Sequence, residues 1–491
     1  MSTPNASRRA FCGYTAALAG LGAGTPLALN LAALGSAAAQ GAPDYKALVC
    51  VFLFGGNDSY NTVLATDSAS WSAYAAARTQ APEPIALAPP GTAADATAPA
   101  GSPAALGGVL PIVPATTQAG RTFALHPQLA PLTPLWGAGR LAVVANVGPL
   151  IAPTSKAQYG AQSVPLPARL FSHNDQQSTW QSGGTEGARE GWGGRIADLI
   201  AANNGSAIFT AISVAGSAVW LAGRQVTPYQ VGTTGPVRIN ALTGNLFGAT
   251  AAAANVNALV AAERTALLEG EHAAIVARSI AAEAQLSAAL PPAGAAGVPD
   301  PTPFVNPLTG NGETNALAVQ LQVVARAIAA RSALGAKRQV FFVSLGGFDT
   351  HDGQNRNQAR LLGQLAHALA YFDGALANVN GADLRASVTT FTASDFGRTL
   401  TSNGDGTDHG WGAHHFLLGG AVRGGDLYGR FPTVGLNHGD EVGSGRLLPA
   451  VAVDQYAATL GKWFGLGATQ LDDVLPNLRN FNLRDLGFLR T

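Results

Sequence analysis

Aspartate and histidine residues that could bind a metal ion follow two apolar runs of the sequence. Asp58 stands in Gly-Gly-Asn-Asp-Ser after the first run, and Asp349 and His351 stand in Gly-Gly-Phe-Asp-Thr-His after a later one. Six of the nine histidines lie between positions 351 and 438. Carboxylate and imidazole groups together suit Zn²⁺, or Mn²⁺ and Fe where oxygen ligands dominate. These residue types therefore predict a divalent metal site.

A third motif, Asp-His-Gly-Trp-Gly-Ala-His-His, supports the same prediction. It begins with the adjacent residues Asp408 and His409 and ends with His414 and His415. A simpler interpretation is that these residues cap helices and close turns around the glycines. That interpretation accounts for the glycines but not for the concentration of histidine, so we favour metal binding.

Five runs, most of them near-continuously apolar, predict the strands that must position these residues. The runs span residues 47–54, 141–147, 207–214, 339–345 and 386–392. Helical patterns lie between and after them, at residues 176–201, 251–290, 315–334, 357–377 and 454–464. Strands that are apolar on both faces and alternate with helices are typical of an α/β fold with a mainly parallel sheet. The carboxyl ends of such strands are where ligands gather.

Two segments depart from this alternation. Residues 81–120 are rich in Ala, Pro and Thr, which predicts a surface loop or a small insertion, and residues 290–312 contain six prolines, which predicts a connector. Neither segment requires a domain boundary. The sequence therefore predicts one domain over residues 40–491 with two excursions.

Five motifs resemble those of the secreted proteins grouped as domain-of-unknown-function family 1501. They are Leu53–Asn61, Ser344–His351, Ser394–Thr399, Asp408–His415 and Asp454–Leu460. That family is placed in the alkaline phosphatase and sulfatase superfamily. The resemblance therefore implies an α/β three-layer sandwich with a mainly parallel sheet. It also implies one or two divalent metal ions at the strand ends, with Zn favoured and Mn, Ca or Fe as alternatives.

The resemblance further implies which strand-end residues bind these ions: Asp58, Asp349, His351, Asp408, His409 and His414. Asp349 and His351 match the ligands of one metal, and the adjacent pair Asp408 and His409 matches those of the other. The last ligand is a histidine that precedes a late strand. His414 is preferred for that place, and His415 or His438 are the alternatives.

The expected nucleophile is the least defined part of this site. The superfamily places its nucleophile at a helix N-terminus, where the helix dipole favours an oxyanion, and residues 171–184 match that region. Ser172 could attack with His173 as its acid and base, His173 could be the nucleophile or a substrate ligand, or water could attack instead. The structural alternative makes Ser172 a helix N-cap and His173 a supporting donor. Arg398 could clamp a phosphate or sulfate oxygen, or it could pair with Asp395.

The first 39 residues have the features of a twin-arginine signal peptide. Ser7-Arg8-Arg9 is followed by an uncharged segment at 13–34 and by the small residues Ala37–Ala39. Pro26 and Asn30 interrupt the apolar run, which argues against a membrane anchor, and no later segment predicts a membrane span. We therefore expect export of the folded protein to the periplasm or the cell exterior.

The charge balance and the resemblance together narrow the expected function. The chain has 29 basic and 29 acidic residues, and removal of Arg8 and Arg9 with the signal leaves 27 and 29. This balance argues against a nucleic-acid partner, which favours a clustered basic excess. The resemblance implies an exported metal-dependent hydrolase of phosphate or sulfate esters, on a small molecule or a polymer. The alternative is a non-catalytic relative that binds a ligand or a co-exported secreted partner during export or envelope assembly.

Overall fold

The computed structural model describes residues 45–118, 120–238, 242, 249, 251–260, 262 and 264–490. The predicted signal peptide, residues 1–39, lies outside the described residues. A mixed α/β fold with a mostly parallel central sheet is confirmed in the described part of the chain.

Strand β1, Lys46–Phe54, lies at the centre of this sheet and illustrates why the sheet forms. Its sequence is apolar at almost every position, as expected for a strand covered on both faces. Val49 and Val51 pack into one core, whereas Leu48 and Phe52 pack into a second core. Successive side chains of a strand point to opposite faces, so the two cores lie on the two sides of the sheet.

The remaining strands follow β1 in chain order: β2 Val63–Ala65, β3 Leu110–Ile112, β4 Phe123–Leu125, β5 Leu141–Gly148, β6 Ala211–Ser213, β7 Tyr229–Gly232, β8 Gly235–Pro236, β9 Phe304–Val305, β10 Gly312–Glu313, β11 Arg338–Gly346, β12 Val388–Ser394, β13 Arg398–Ser402, β14 Thr407–His409, β15 Ala413–Leu418, β16 Leu427–Tyr428 and β17 Val451–Ala452. The order in the main sheet is β16-β5-β15-β12-β1-β11-β6-β7-β8, and β17 also pairs with β5. β1 pairs in parallel with both β11 and β12, which places the carboxyl ends of these three strands at one edge.

The described helices are α1 Ser68–Arg78, α2 Pro103–Leu106, α3 Thr133–Gly137, α4 Lys156–Ala161, α5 His173–Ser182, α6 Trp192–Ile200, α7 Ala252–Val260, α8 Leu267–Ala289, α9 Ala316–Ala329, α10 Gln354–Leu376, α11 Val453–Phe464 and α12 Ala468–Val474. Helices α9 and α10 contribute to the core that contains Val49, and α6 and α11 contribute to the core that contains Leu48. Helices therefore cover both faces of the sheet, an arrangement consistent with a three-layer sandwich.

The five predicted strands are present, with two differences from the prediction. Within residues 207–214, Ala207–Phe209 form a 3-10 turn and only Ala211–Ser213 pair as a strand. The sheet is also less parallel than expected on one side, because β15 runs antiparallel to both β12 and β5.

The predicted helix at residues 176–201 is two helices, α5 and α6. Gly183 ends α5 in the left-handed conformation, with φ of 77°, and Gly191 precedes α6. A glycine that adopts positive φ readily stops a helix, which explains the break. The predicted helix at residues 251–290 likewise contains both α7 and α8.

The first predicted excursion is more ordered than a surface loop. It contains α2 and β3, and β3 joins β2 and β4 in a separate three-stranded antiparallel sheet. The second excursion contains β9, which pairs with β10. No described helix has both the length and the apolar character that crossing a membrane requires.

Candidate metal site

Three side chains converge where the β11 and β14 ends meet the first turn of α5. The ligand atoms of His173, Asp349 and His409 all lie within 4.8 Å of one another. His173 Nε2 lies 3.4 Å from Asp349 Oδ2, and His409 Nε2 lies 3.4 Å from Asp349 Oδ1. The Asp349 side chain is 45% exposed, so this group of atoms is open to solvent on one side.

His351 extends the cluster to four residues. Its Nε2 lies 2.8 Å from His409 Nε2 and 3.3 Å from Asp349 Oδ1. Nitrogen and oxygen ligands at about 2.0–2.1 Å from a tetrahedral zinc ion lie about 3.3–3.4 Å from one another. The separations of 3.3–3.4 Å between the Asp349 oxygens and the three Nε2 atoms fall in that range, whereas the 2.8 Å between the Nε2 atoms of His351 and His409 is shorter.

Different elements deliver these four side chains. Asp349 and His351 lie in the loop between β11 and α10, and His409 ends β14 of the β13–β14 hairpin. His173 is the first residue of α5. Gly406 lets the hairpin turn approach His351 closely, because an added Cβ would lie 2.3 Å from the His351 carbonyl oxygen.

The Nδ1 atom of each histidine faces a group outside the cluster. His173 Nδ1 lies 2.7 Å from Asp395 Oδ2, His409 Nδ1 lies 2.7 Å from the Phe171 carbonyl oxygen, and His351 Nδ1 lies 3.3 Å from Asp408 Oδ1. Such partners fix the ring orientation of metal-binding histidines and leave Nε2 free to bind. His173 Nε2 is buried and has no hydrogen-bond partner among the described residues.

The backbone is strained at Phe171, where its carbonyl contacts His409. Phe171 has a φ of 72°, a left-handed conformation that is a genuine outlier for an aromatic residue. This conformation accompanies the hydrogen bond from His409 to the Phe171 carbonyl. Strain of this kind persists only where the surrounding structure imposes it, and it is common at functional sites.

Arg398 fixes Asp349 and is not available to a ligand. It is buried, and it donates hydrogen bonds to the carbonyl oxygens of Gly55, Gly56, Phe348 and Thr407 and to Asp349 Oδ1. Burial acts to raise the pKa of Asp349, but the hydrogen bond and charge of Arg398 outweigh it, so the pKa is lowered. The expected pairing of Arg398 with Asp395 is not observed; its carboxylate partner is Asp349.

The electrostatics of the cluster favour a cation. Among the described residues, the charged groups in contact with the side chains of the cluster are Asp349, Asp395, Asp408 and Arg398. Three carboxylates and one guanidinium leave two negative charges when the histidines are neutral, and one divalent ion would neutralise them. The hydrogen bond with Asp395 raises the pKa of His173 despite its partial burial, whereas burial lowers the pKa of His409.

Asp58, expected to be a ligand, does not lie in the cluster. Its side chain is 1% exposed and forms a buried ion pair with Arg78. It also accepts hydrogen bonds from Gln354 Nε2 at 2.7 Å and from the Tyr60 backbone N–H at 3.0 Å. With its lone pairs occupied by these donors, Asp58 is placed to stabilise the fold and not to bind an ion.

The last expected ligand, His414, is also elsewhere. It is buried, and its Nδ1 accepts a hydrogen bond from the Asn146 backbone N–H at 3.0 Å. Its alternatives are no closer to the role: His415 is buried against Trp180, and His438 bonds to backbone groups of Gly435 and Asp440. Burial lowers the pKa of both His414 and His415 to about 3, so both are neutral core histidines.

Ser172 occupies the N-cap position of α5, but its hydroxyl already has a hydrogen-bond partner. Its hydroxyl donates to Asp175 Oδ2 at 2.9 Å and caps no backbone N–H.

The sequence did not predict a role at the site for Asp395, whose Oδ2 also accepts from Gln177 Nε2 and the Gly55 N–H. Its place directly after β12 was the available signal. The contact between His409 and the Phe171 carbonyl could not be predicted from the sequence, because a backbone carbonyl is the same in every residue.

The fold and the site define a mixed α/β protein that has a mostly parallel sheet and a His/Asp cluster beside the strand ends. A family model described as Protein of unknown function (DUF1501) matches residues 45–475. Because the match covers most of the chain, the chain belongs to this family. No curated protein matches the chain.

Proposed function

We propose that this protein is a metal-dependent hydrolase of phosphate or sulfate esters, with one divalent ion held by His173, His351, His409 and Asp349. The observation that carries the proposal is the common orientation of the three histidines. Each has its Nδ1 next to an outside carboxylate or carbonyl, and each has its Nε2 directed toward Asp349 or a neighbouring histidine. Three imidazoles and one carboxylate suit zinc best, and Mn or Fe next.

In such a site, some residues would orient the metal ligands and others would leave access for the substrate. Asp395 and the Phe171 carbonyl hold two histidines in one tautomer, and Arg398 holds the Asp349 carboxylate. A bound divalent ion would supply Lewis-acid chemistry, stabilising negative charge on an ester oxygen and making water more acidic. The partial exposure of His351 and Asp349 leaves room for an ester to approach from solvent.

Water is the nucleophile that this arrangement favours. The Ser172 hydroxyl donates to Asp175, and the His173 Nδ1 is held by Asp395. Of the three mechanisms expected from the sequence, attack by Ser172 would first require this serine to leave its partner. Direct attack by water requires no such change.

Metal content tests the first half of the proposal. We expect stoichiometric divalent metal in the purified folded protein, measured by elemental analysis, and its loss in His409→Ala. The matched control is His272→Ala, because His272 is an exposed histidine of α8 outside the cluster. A fully folded protein without metal, or equal metal in the two variants, would reject the site.

Turnover of aryl phosphate and aryl sulfate esters tests the second half. We expect hydrolysis that is lost in His409→Ala and retained in Ser172→Ala and His272→Ala. Loss in Ser172→Ala with retained metal would restore the serine as the nucleophile. Metal binding without any ester turnover would reject the hydrolase.

A second function is favoured because Ser172 and Arg398, the groups expected to act on the substrate, already have hydrogen-bond partners within the protein. Ser172 is engaged by Asp175, and Arg398 is engaged by four carbonyl oxygens and Asp349. A non-catalytic protein that uses the metal to bind a ligand or a co-exported partner has no need of either group. Retained metal, absent turnover and co-purification of a secreted protein that His409→Ala loses would support this alternative.

We also propose that the protein acts in the periplasm or outside the cell. The support is the N-terminal pattern of paired arginines, uncharged segment and small residues. Replacement of Arg8 and Arg9 by lysine should retain the folded protein in the cytoplasm, as measured by cell fractionation. Unchanged localisation would contradict export by this route.

A further inference from the structure

A cavity of about 190 Å³ lies at the end of α5 opposite to His173. Its walls are largely apolar, with contributions from Pro149, Leu150, Leu166, Pro167 and Val453. Thr179 and residues 183–185 line the side next to α5. None of the residues assigned to the metal cluster lines this cavity.

One carboxylate, that of Asp454, lines the cavity among these apolar groups. Asp454 is 7% exposed and lies in the first turn of α11, directly after β17. Its Oδ1 accepts a hydrogen bond from the Asn477 backbone N–H at 3.2 Å, and hydrogen bonding from the Asn477 side chain and from its own backbone N–H also acts to lower its pKa.

No described arginine or lysine forms an ion pair with Asp454. Arg195 acts on it only through space, since its guanidinium donates to the carbonyl oxygens of Val474 and Ser182. Burial raises the pKa of Asp454 to about 6, because it outweighs the hydrogen bonds from Asn477 and the charge of Arg195, which act to lower the pKa. A buried carboxylate without a paired cation is costly, and a cationic ligand would supply the missing partner.

We propose that this cavity binds a small organic ammonium ion, a primary amine on a compact apolar body, with the ammonium group on Asp454. The apolar walls match the body of such a ligand, and Asp454 matches its charge. The volume of the cavity suits a single small ring or a short alkyl chain. The site also gives a role to the Asp454–Leu460 motif, which the metal site does not use. This inference is independent of the proposed hydrolase activity.

Two probes of nearly the same shape, benzylamine and benzyl alcohol, separate charge from apolar packing. We expect calorimetry at neutral pH to show that the mature protein binds benzylamine at least about tenfold more tightly than benzyl alcohol, because a hydrogen bond to a charged group is stronger. Asp454→Asn should reduce benzylamine binding to the level of the alcohol. The matched control is Asp485→Asn, because Asp485 pairs with Lys462 of the same helix outside the cavity.

A second variant keeps the test valid if Asp454→Asn is poorly folded. Leu166→Trp fills the cavity but leaves the carboxylate in place, and it should abolish binding of both probes with an unchanged melting temperature. Equal affinity of the two probes, a preference for the amine that survives in Asp454→Asn, or binding that survives in Leu166→Trp would each overturn the proposal. The absence of benzylamine binding at millimolar concentration would overturn it as well.

Discussion

Asp58 and Asp349 follow the adjacent parallel strands β1 and β11, and each is paired with an arginine, yet the two pairs have opposite surroundings. The Asp58–Arg78 pair is buried on both sides, with exposures of 1% and 0%. In the second pair, Arg398 is equally buried but Asp349 is 45% exposed. Asp349 therefore presents carboxylate surface to three histidines and to solvent, whereas Asp58 presents none.

A strand-end position alone therefore does not leave an acid free to bind an ion. What matters is how many donors already reach the carboxylate. Asp58 receives Arg78, Gln354 and the Tyr60 N–H, which satisfy both of its oxygens. Asp349 receives Arg398 on one oxygen, and its remaining contacts are to the imidazoles of the cluster.

The largest effect that this comparison predicts is on stability at Asp58. We expect Asp58→Ala to lower the free energy of unfolding by about 3–5 kcal/mol, because it leaves the Arg78 charge buried without a partner. Arg78 also donates to the carbonyl oxygens of Thr399 and Leu400 in β13, so the hairpin that carries His409 would lose support. Urea unfolding measures the change. A loss below about 1 kcal/mol, the range of exposed ion pairs, would show that burial of the Asp58–Arg78 pair adds nothing to its contribution to stability.

Asp454 is a third strand-end acid, buried like Asp58 but without an arginine, and it predicts a change with pH. Its pKa is raised from 3.8 to about 6, so the folded state binds the proton more tightly than the unfolded state. The resulting stability is present below the unfolded pKa and is lost as the pH rises through about 6. Asparagine does not titrate, so Asp454→Asn should gain stability relative to the natural chain by about 2–3 kcal/mol between acidic and neutral pH.

Unfolding of the two proteins at a series of pH values, without added amine, measures this gain. Because all other groups titrate equally in both chains, the difference between the two curves isolates Asp454. A difference that does not vary with pH would show that Asp454 is solvated in the folded protein. A solvated carboxylate would not need a cationic ligand, so this result would also weaken the proposal that the cavity binds an ammonium ion.

Asp395, which lies next to a histidine of the cluster, differs from Asp408 in its burial. It is buried and holds His173 through a 2.7 Å contact, whereas Asp408 is 52% exposed and lies 3.3 Å from His351. We expect Asp395→Asn to weaken metal binding by about 10–100-fold, the usual cost of losing such a partner. Asp408→Asn should have the smaller effect. Metal competition with a chromophoric chelator measures both, and the reverse order of effects would contradict this assignment.

The sequence predicted the strands best where burial dominates. Strands β1, β5 and β11 are long and largely apolar runs, so their positions follow from local composition. The break between α5 and α6 was missed although the glycine-rich polar segment 183–191 marks it in the sequence. The antiparallel direction of β15 depends on pairing between distant segments, which no local pattern reports.

The candidate site was predicted in part for the same reason. Asp349, His351 and His409 were expected as ligands, and the structure brings all three together. Asp408 was also expected as a ligand, but it lies 3.3 Å from His351 Nδ1, outside the group of converging ligand atoms. His173 was expected nearby but in a catalytic role, because only the folded chain shows that its Nε2 is left without a partner. Asp58 and His414 were expected as ligands by resemblance, and their occupied hydrogen-bonding groups could be seen only in three dimensions.

The smallest expected effect returns to Asp349, as a test of stability and not of binding. In protein stripped of metal by a chelator, we expect Asp349→Asn to lower the free energy of unfolding by less than Asp58→Ala does, because the Asp349 carboxylate is half exposed and its charge is screened by solvent. The five carbonyl and carboxylate contacts of Arg398 would fall only to four, all of them to backbone. In metal-loaded protein the natural chain alone should gain stability, since only a folded state with a complete site binds the ion. A large loss in the stripped protein would instead make Asp349 a structural residue like Asp58, and the cluster would no longer differ from the buried pair in the way its exposure indicates.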